Sequence, residues 1–219
     1  MIPALIVPVL NGHNLLDKML SSIHFPIENV IVVDNGKNAN WEYSFKNPNI
    51  ENLYHLQMPT NLGVPASWNL GIKSLPFADY WLIVNHDIEF YPGSLETFKS
   101  NSNAETLLLS NGLPKWCAFS IGSKIVETIG LFDEAIYPAY FEDTEYEWRC
   151  GEKGIPVTLS DIPIKHENSS TLKDGLALYE QKNSKTFRAN SIYFDNKKRT
   201  NDLTQGDWSL TIRKDNSWD

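Results

Sequence analysis

Tyr80-Trp81-Leu82-Ile83-Val84-Asn85-His86-Asp87 is the stretch that decides the fold. Five apolar residues run without alternation and then give way to three polar ones. Such an unbroken run reads as a strand buried on both faces, the mark of a parallel sheet between layers of helices. The pattern occurs twice more upstream. Ala4 to Val9 leads into Asn11-Gly12-His13-Asn14, and the β-branched run Val30 to Val33 ends at Asp34-Asn35-Gly36. Leu53 to Leu56 is a weaker strand. Between these runs the apolar spacing turns helical. Leu15, Leu16, Met19, Leu20 and Ile23 share one helical face, with Asn14 the expected N-cap. Pro65 suits the first turn of a helix carrying Trp68, Leu70 and Ile72. Alternating strands and helices predict an α/β fold with a mostly parallel central sheet and helices on both faces. Binding loops of such sheets lie at the carboxyl ends of the strands. Asn11, Asp34 and Asp87 each stand just past a strand end, so the site is expected on that edge.

Further along, Leu107 to Leu109 and Phe119 to Ile121 read as strands. Ser123 to Ile129 reads as a serine-capped helix stopped by Gly130, Tyr137 to Phe141 as an extended aromatic segment, and Glu142 to Lys153 as a helix ending near Gly154. After His166 the chain turns polar. Leu172, Leu176 and Tyr179 suggest one helix and Phe187 to Phe194 another, while the last twenty residues show no periodicity. The expected organisation is a body over 1–167 with a helical or irregular C-terminal extension, 168–219, packing on it.

Composition limits the function. The chain has 219 residues, 42% hydrophobic and 21% charged, which excludes wholesale disorder and suits one medium domain. No apolar run approaches the roughly 18–20 residues that span a bilayer. The longest, Ile2 to Leu10, holds two prolines and no basic residue precedes it, so neither a membrane span nor a secretory leader is expected. Cys117 and Cys150 are too few for a disulfide framework or a zinc cluster. They point to a reducing, cytoplasmic location, with peripheral membrane association left open. A net charge of −8 argues against a nucleic-acid partner. The charge is uneven: 20 acids and 10 bases fall in 1–167, against 7 and 9 in 168–219. An acidic body that handles an anionic substrate needs a cation between the two.

Several clusters can carry chemistry. Asn85-His86-Asp87 offers oxygen ligands for a divalent ion, or is simply a polar turn between strands. Tyr140-Phe141-Glu142-Asp143-Thr144-Glu145-Tyr146-Glu147-Trp148-Arg149 places four acids within six residues at a helix start. Helix-dipole and capping preferences explain the acids but not the rings beside them. A carboxylate held there can act as a general base. His166 is either an ordinary hydrogen-bonded histidine or a ligand that completes the coordination of an ion held by a carboxylate. Asn61-Leu62-Gly63 through Asn69-Leu70-Gly71 frames a loop entering a helix, where glycines allow close approach and free N–H groups can meet a phosphate. A Gly-Lys-Ser/Thr end is missing, as is Gly-x-Gly-x-x-Gly after the first strand, which disfavours hydride transfer. Trp68, Trp116 and Trp148 lie in or beside these motifs, where rings with a polar edge form binding platforms.

In combination and order, these motifs resemble family 2 glycosyltransferases of the GT-A fold, over about residues 3–167. Ile6-Val7-Pro8-Val9-Leu10-Asn11 is similar to the family's opening strand. Val32-Val33-Asp34-Asn35-Gly36 is similar to its second strand and nucleobase-contacting aspartate, and Asn61 through Gly71 to its donor-side loop and helix. Asn85-His86-Asp87 stands where the metal-binding Asp-x-Asp lies. Ile129-Gly130-Leu131-Phe132-Asp133-Glu134 followed by Phe141-Glu142-Asp143 resembles the segment leading to the family's base. The resemblance implies a Rossmann-like nucleotide half joined to an acceptor half. It implies that Pro8, Val9, Asn11 and Asp34 line the nucleobase and ribose pocket. Asn61, Gly63, Trp68, Asn85, His86, Trp116 and Glu142 would complete the nucleotide-sugar site. Asp87 would bind Mn2+ or Mg2+, joined by His166, and Asp143 would be the general base of an inverting displacement. The implied donor is a UDP- or dTDP-linked sugar, and the acceptor a hydroxyl of a glycan or another molecule. A homodimer is left open.

Two positions depart from the pattern. Asn85 replaces the first Asp of Asp-x-Asp, losing a charge at the metal. Asn-x-Asp is familiar among rhamnosyltransferase-like members, which favours a deoxysugar or thymidine-linked donor. Trp68 stands where many members carry Arg. The rival readings are a nucleotidyltransferase, which lacks its glycine-rich basic loop here, and a non-catalytic nucleotide- or sugar-binding module, against which Glu142-Asp143 speaks. Lys197-Lys198-Arg199 is expected as solvated surface, the alternative being contact with the diphosphate or an acidic partner.

Overall fold

The computed structural model describes residues 1–36, 41, 46–111, 114–167 and 177–204. In chain order the elements are β1 (Ile2–Val9), α1 (His13–Ser21), β2 (Ile27–Asp34), β3 (Ile50–Gln57), α2 (Val64–Ser74), β4 (Tyr80–Val84), β5 (Ile88–Phe90), α3 (Ser94–Asn101), β6 (Leu107–Ser110), β7 (Ala118–Gly122), α4 (Ser123–Ile129), α5 (Glu142–Glu152), β8 (Val157–Ser160), β9 (Ile164–His166) and α6 (Ala177–Thr200). Seven strands form one sheet in the order β3-β2-β1-β4-β7-β6-β8, and β5 pairs with β9 in a separate ribbon. β7 runs antiparallel to both its neighbours, and the other pairings of the large sheet are parallel. The fold is thus α/β with a mostly parallel central sheet, as the unbroken apolar runs predict.

Side chains of the central strands alternate between two cores. Ile2, Leu5, Val7, Val9, Leu82 and Val84 pack with α1 and α3 through Leu16, Met19, Leu20, Leu95 and Phe98. Ala4, Ile6, Trp81 and Ile83 pack on the other face with Trp68, Ile72, Val126 and Tyr146, from α2, α4 and α5. Burial on both faces is why these strands show no polar alternation. Gly71 sets how closely α2 lies on β1, because a Cβ there would come within 2.5 Å of the Ile6 side chain.

Local details depart from the sequence reading. α1 starts two residues early, with Gly12 at φ 71 as its N-cap, so Asn14 lies inside the helix. Ser123 is likewise the first helical residue of α4 and not its cap. α5 has no side-chain cap; Phe141 precedes it at φ 80. The segment before it is not extended, since both Tyr140 and Phe141 adopt positive φ, 73 and 80. Tyr179 and Phe187 to Phe194 lie in one continuous helix, α6. Leu172, Leu176 and residues 205–219 lie outside the described residues. Among the described residues, no helix is long and apolar enough to cross a membrane.

Candidate active site

β1, β2 and β4 are neighbouring parallel strands, and their carboxyl ends carry Asn11, Asp34 and Asn85 to Asp87. Val9 stands in register with Asp34, and the Asn35 N–H donates to the Val9 carbonyl at 2.7 Å. Pro8 and Val9 therefore lie beside Asp34 on the sheet edge. Asp34 is fully buried and surrounded by donors. His13 Nε2 and His55 Nε2 both meet its Oδ2, at 2.9 and 3.1 Å, and the Gly36 N–H donates to Oδ1 at 2.8 Å. Trp41 packs against both imidazoles and donates to Asp17. His13 lies within the quoted turn, but its role was illegible in sequence. His55 gave no signal there, being one residue of a weak strand.

The Asn61–Gly63 loop is built differently from the expectation. Asn35 Oδ1 accepts the Leu62 N–H at 2.9 Å, and Asn35 Nδ2 donates to Ser67 Oγ at 2.9 Å. Asn61 Oδ1 accepts the Gly63 N–H, and the Asn61 carbonyl accepts from the Tyr137 hydroxyl at 3.2 Å. The first N–H of α2, on Val64, donates to the Pro138 carbonyl at 2.7 Å, so it is not free for a phosphate. Gly63, at φ 83, is tight against the same segment, where a Cβ would sit 2.9 Å from the Pro138 oxygen. The glycine serves a chain-to-chain approach. It joins the Asn61–Gly63 loop to the segment that precedes α5. Trp68 is buried between Phe119 and Phe132, at 5.1 and 4.8 Å between ring centroids, and its Nε1 meets no partner among the described residues. Trp116 packs on Phe119 and donates to Glu147 at 3.4 Å. Asn69 bridges α2 to Phe132 and Glu134.

Asp87 and His166, distant in sequence, are brought together by the β5–β9 ribbon, in which Ile88 pairs with His166. His166 Nε2 lies 3.2 Å from Asp87 Oδ1, both side chains are largely buried, and His166 Nδ1 meets no partner among the described residues. The Glu167 N–H donates to the Asp87 carbonyl at 3.0 Å. His86 is buried against Gly12. Among the described residues, no group of three or more His, Cys, Asp or Glu side chains is arranged to hold a metal ion. A carboxylate next to an imidazole supplies two. That set fits Mn2+ or Mg2+, which commonly take one or two protein carboxylates and complete their shell with substrate phosphates and water.

At the start of α5, Glu142 is buried with Oε2 unpaired among the described residues. Burial, with the Asp143 charge adding to it, pushes its carboxyl up to about 8. Asp143 is partly exposed. Its Oδ1 accepts from the Thr144 N–H at 2.7 Å and the Thr144 hydroxyl at 3.1 Å. The remaining acids of the motif are structural. Arg149 Nε donates to both oxygens of fully buried Glu145, at 2.8 and 3.0 Å, and its other nitrogens cap the carbonyls of Ile129 and Leu131.

α6 closes this region. Lys197 is buried between Asp133 and Glu145, at 2.7 and 2.6 Å, which corrects its reading as solvated surface. Tyr193 donates to Asp133 at 2.9 Å. Burial alone would raise the Asp133 carboxyl. Hydrogen bonds from Lys197, the Ala135 N–H and Tyr193 outweigh it and hold the group below the usual carboxylate value. Asn190 donates to the carbonyls of Ala139 and Tyr140, and Phe187 packs on Tyr140 and Phe141.

No family model matches the chain. A galactofuranosyl glycosyltransferase from Leishmania donovani is 20% identical over 237 residues, covering 73% of this chain. The chain spans about half the length of that curated relative, 55%. Among solved structures, the mannosyltransferase PcManGT from Pyrobaculum calidifontis, in complex with GDP-Man and Mn2+, matches with a TM-score of 0.58 at 13% identity, over 73% of this chain and 55% of its own. S. aureus TarS 1-349 in complex with UDP-GlcNAc matches with a TM-score of 0.56 at 15% identity, over 80% and 62%. GalNAc-T7 with UDP, GalNAc and Mn2+ matches with a TM-score of 0.55 at 10% identity, over 75% and 43%. The sheet order and these neighbours give the chain the GT-A fold.

Proposed function

We propose that this chain is an inverting glycosyltransferase. It moves a sugar from a nucleotide diphosphate donor to a hydroxyl of a glycan or similar acceptor. The observation that carries the reading is the pairing of Asp87 with His166 on the same sheet edge as Asp34, with the loop before Asp143 bonded to the donor-side loop. The glycosyltransferases of like fold, two of them holding Mn2+, support it. Asn85 favours a thymidine-linked deoxysugar over other donors. Two buried, unpaired cysteines suit a reducing compartment.

Pro8, Val9, Asn11 and the Asp34 cluster take the base and ribose. Asp87 and His166 would hold Mn2+ or Mg2+, which offsets negative charge on a diphosphate when bound. Asp143 takes the proton of the acceptor hydroxyl. That oxygen forms a bond to the anomeric carbon as the bond to the diphosphate oxygen breaks, and the diphosphate leaves with the electron pair. Attack from the opposite face inverts the centre. Thr144 engages Asp143 Oδ1, and Oδ2 is the oxygen assigned to the proton. Exposed Tyr137, Tyr140 and Phe187 offer rings to an acceptor sugar beside the base.

Thermal unfolding with UDP, dTDP and GDP, each with and without Mn2+, tests the donor site. Nucleotide at a hundredfold excess over Kd adds roughly 2.7 kcal/mol to stability. The reading expects a metal-dependent rise with at least one nucleotide, abolished in Asp87→Ala. Failure of every nucleotide to shift the transition overturns it.

A further inference from the structure

The chemistry around Asp34 decides which atom reads the nucleobase. A carboxylate has about four acceptor positions, two on each oxygen. Here Oδ2 takes two donors, His13 Nε2 and His55 Nε2, and Oδ1 takes the Gly36 N–H. Asp34 is 0% exposed, and His13 is 9% exposed. His55 is 27% exposed, the most open of the three side chains. Its ring is also braced edge-on by Trp41, at 4.9 Å between centroids.

From this we infer that His55, and not Asp34, makes the base-reading contact, with Asp34 and His13 as positioning residues that fix its ring. A carboxylate oxygen accepts, so in this assignment His55 presents Nε2–H to Asp34 Oδ2. In the neutral ring the second nitrogen, Nδ1, is then an acceptor. An acceptor at this point selects a base that carries a ring N–H, which uracil, thymine and guanine have and cytosine and adenine lack. The cluster thus acts as a filter for ring N–H. The carboxylate supplies the tautomer and the imidazole supplies the contact.

The inference rests on the donor-site reading above, and its test separates the two. Nucleotide affinities are measured by calorimetry on the full chain with Mn2+, using UDP, dTDP, GDP, CDP and ADP. The favoured nucleotide is then compared with its ring-N-methylated counterpart, 3-methyl-UDP, 3-methyl-dTDP or 1-methyl-GDP. The parent should prefer one of the N–H-bearing nucleotides to CDP and ADP by about tenfold or more, and methylation should erase that preference. In His55→Leu the ratio between the native and methylated nucleotide should fall to about one. His55→Gln retains a donor for Asp34 and an oxygen acceptor, so it should restore most of the ratio and control for folding. Asp34→Asn should weaken affinity while keeping a methylation ratio above one. The opposite pattern overturns the inference: a ratio lost in Asp34→Asn and intact in His55→Leu would put the base on the carboxylate. A parent that favours CDP or ADP also overturns it. A parent that binds none of the nucleotides fails the donor-site reading itself and takes this inference with it.

Discussion

Lys197 Nζ donates to Glu145 Oε1 at 2.6 Å, and both side chains are buried. The same ammonium reaches Asp133 at 2.7 Å, so one lysine of the C-terminal helix ties together the two acidic segments that flank the proposed base. Arg149 shares Glu145 from the other side. Each charge in this cluster is matched, which is the condition under which buried ions are tolerated.

Lys197→Met should therefore be strongly destabilising. It leaves Asp133 and Glu145 short of a cation in a buried setting, where losing one partner costs about 3–5 kcal/mol. Urea unfolding of parent and variant measures it. A loss below about 1 kcal/mol would mean that α6 is only loosely seated.

Asn190→Ala probes positioning and not only stability. Its amide holds the carbonyls of Ala139 and Tyr140 at 2.9 and 3.2 Å, on the positive-φ segment that leads into Asp143. Two lost hydrogen bonds should cost about 1–3 kcal/mol. A misplaced base should lower kcat on the order of tenfold or more while the donor KM stays near the parent value. Steady-state kinetics with varied donor checks this; a change confined to KM contradicts it.

The apolar architecture was legible because burial on both faces leaves an unbroken signature. Tyr80–Val84 and Ser123–Ile129 have the bounds that the sequence suggests. The polar strand ends at Asp34 and Asp87 were legible for the same reason. Partners that fold brings from afar were not. Nothing local to Lys197 separates a buried ion from the solvated Lys198 beside it. His55 lies in a half-exposed strand without strong alternation. The bend at Tyr140 and Phe141 escaped because aromatic residues carry no turn signal, and α6 and Phe187 hold that bend from a distance. The approach of Pro138 to Gly63 also comes from a segment distant in sequence and left no local mark.

Glu142 makes a pH prediction. Its carboxyl is raised from an ordinary 4.5 to about 8 by burial first and Asp143 second. The folded state then binds this proton more tightly than the unfolded chain. The group's contribution to stability is whole below about 4.5 and is lost as pH climbs toward 8. Glu142→Gln does not titrate and has no such loss. Across that window the parent should fall relative to the variant by on the order of a few kcal/mol. Urea midpoints from pH 4 to 9 give the comparison, and parallel curves would show that Glu142 ionises freely.

The proposed mechanism turns most directly on Asp143. Sugar transfer and nucleotide affinity are measured together for parent and Asp143→Asn, with the metal present. General-base catalysis contributes about 10²–10⁴-fold, so turnover should drop by that factor while nucleotide Kd changes by less than about twofold. An Asp143→Asn protein that transfers sugar at the parent rate would contradict the mechanism.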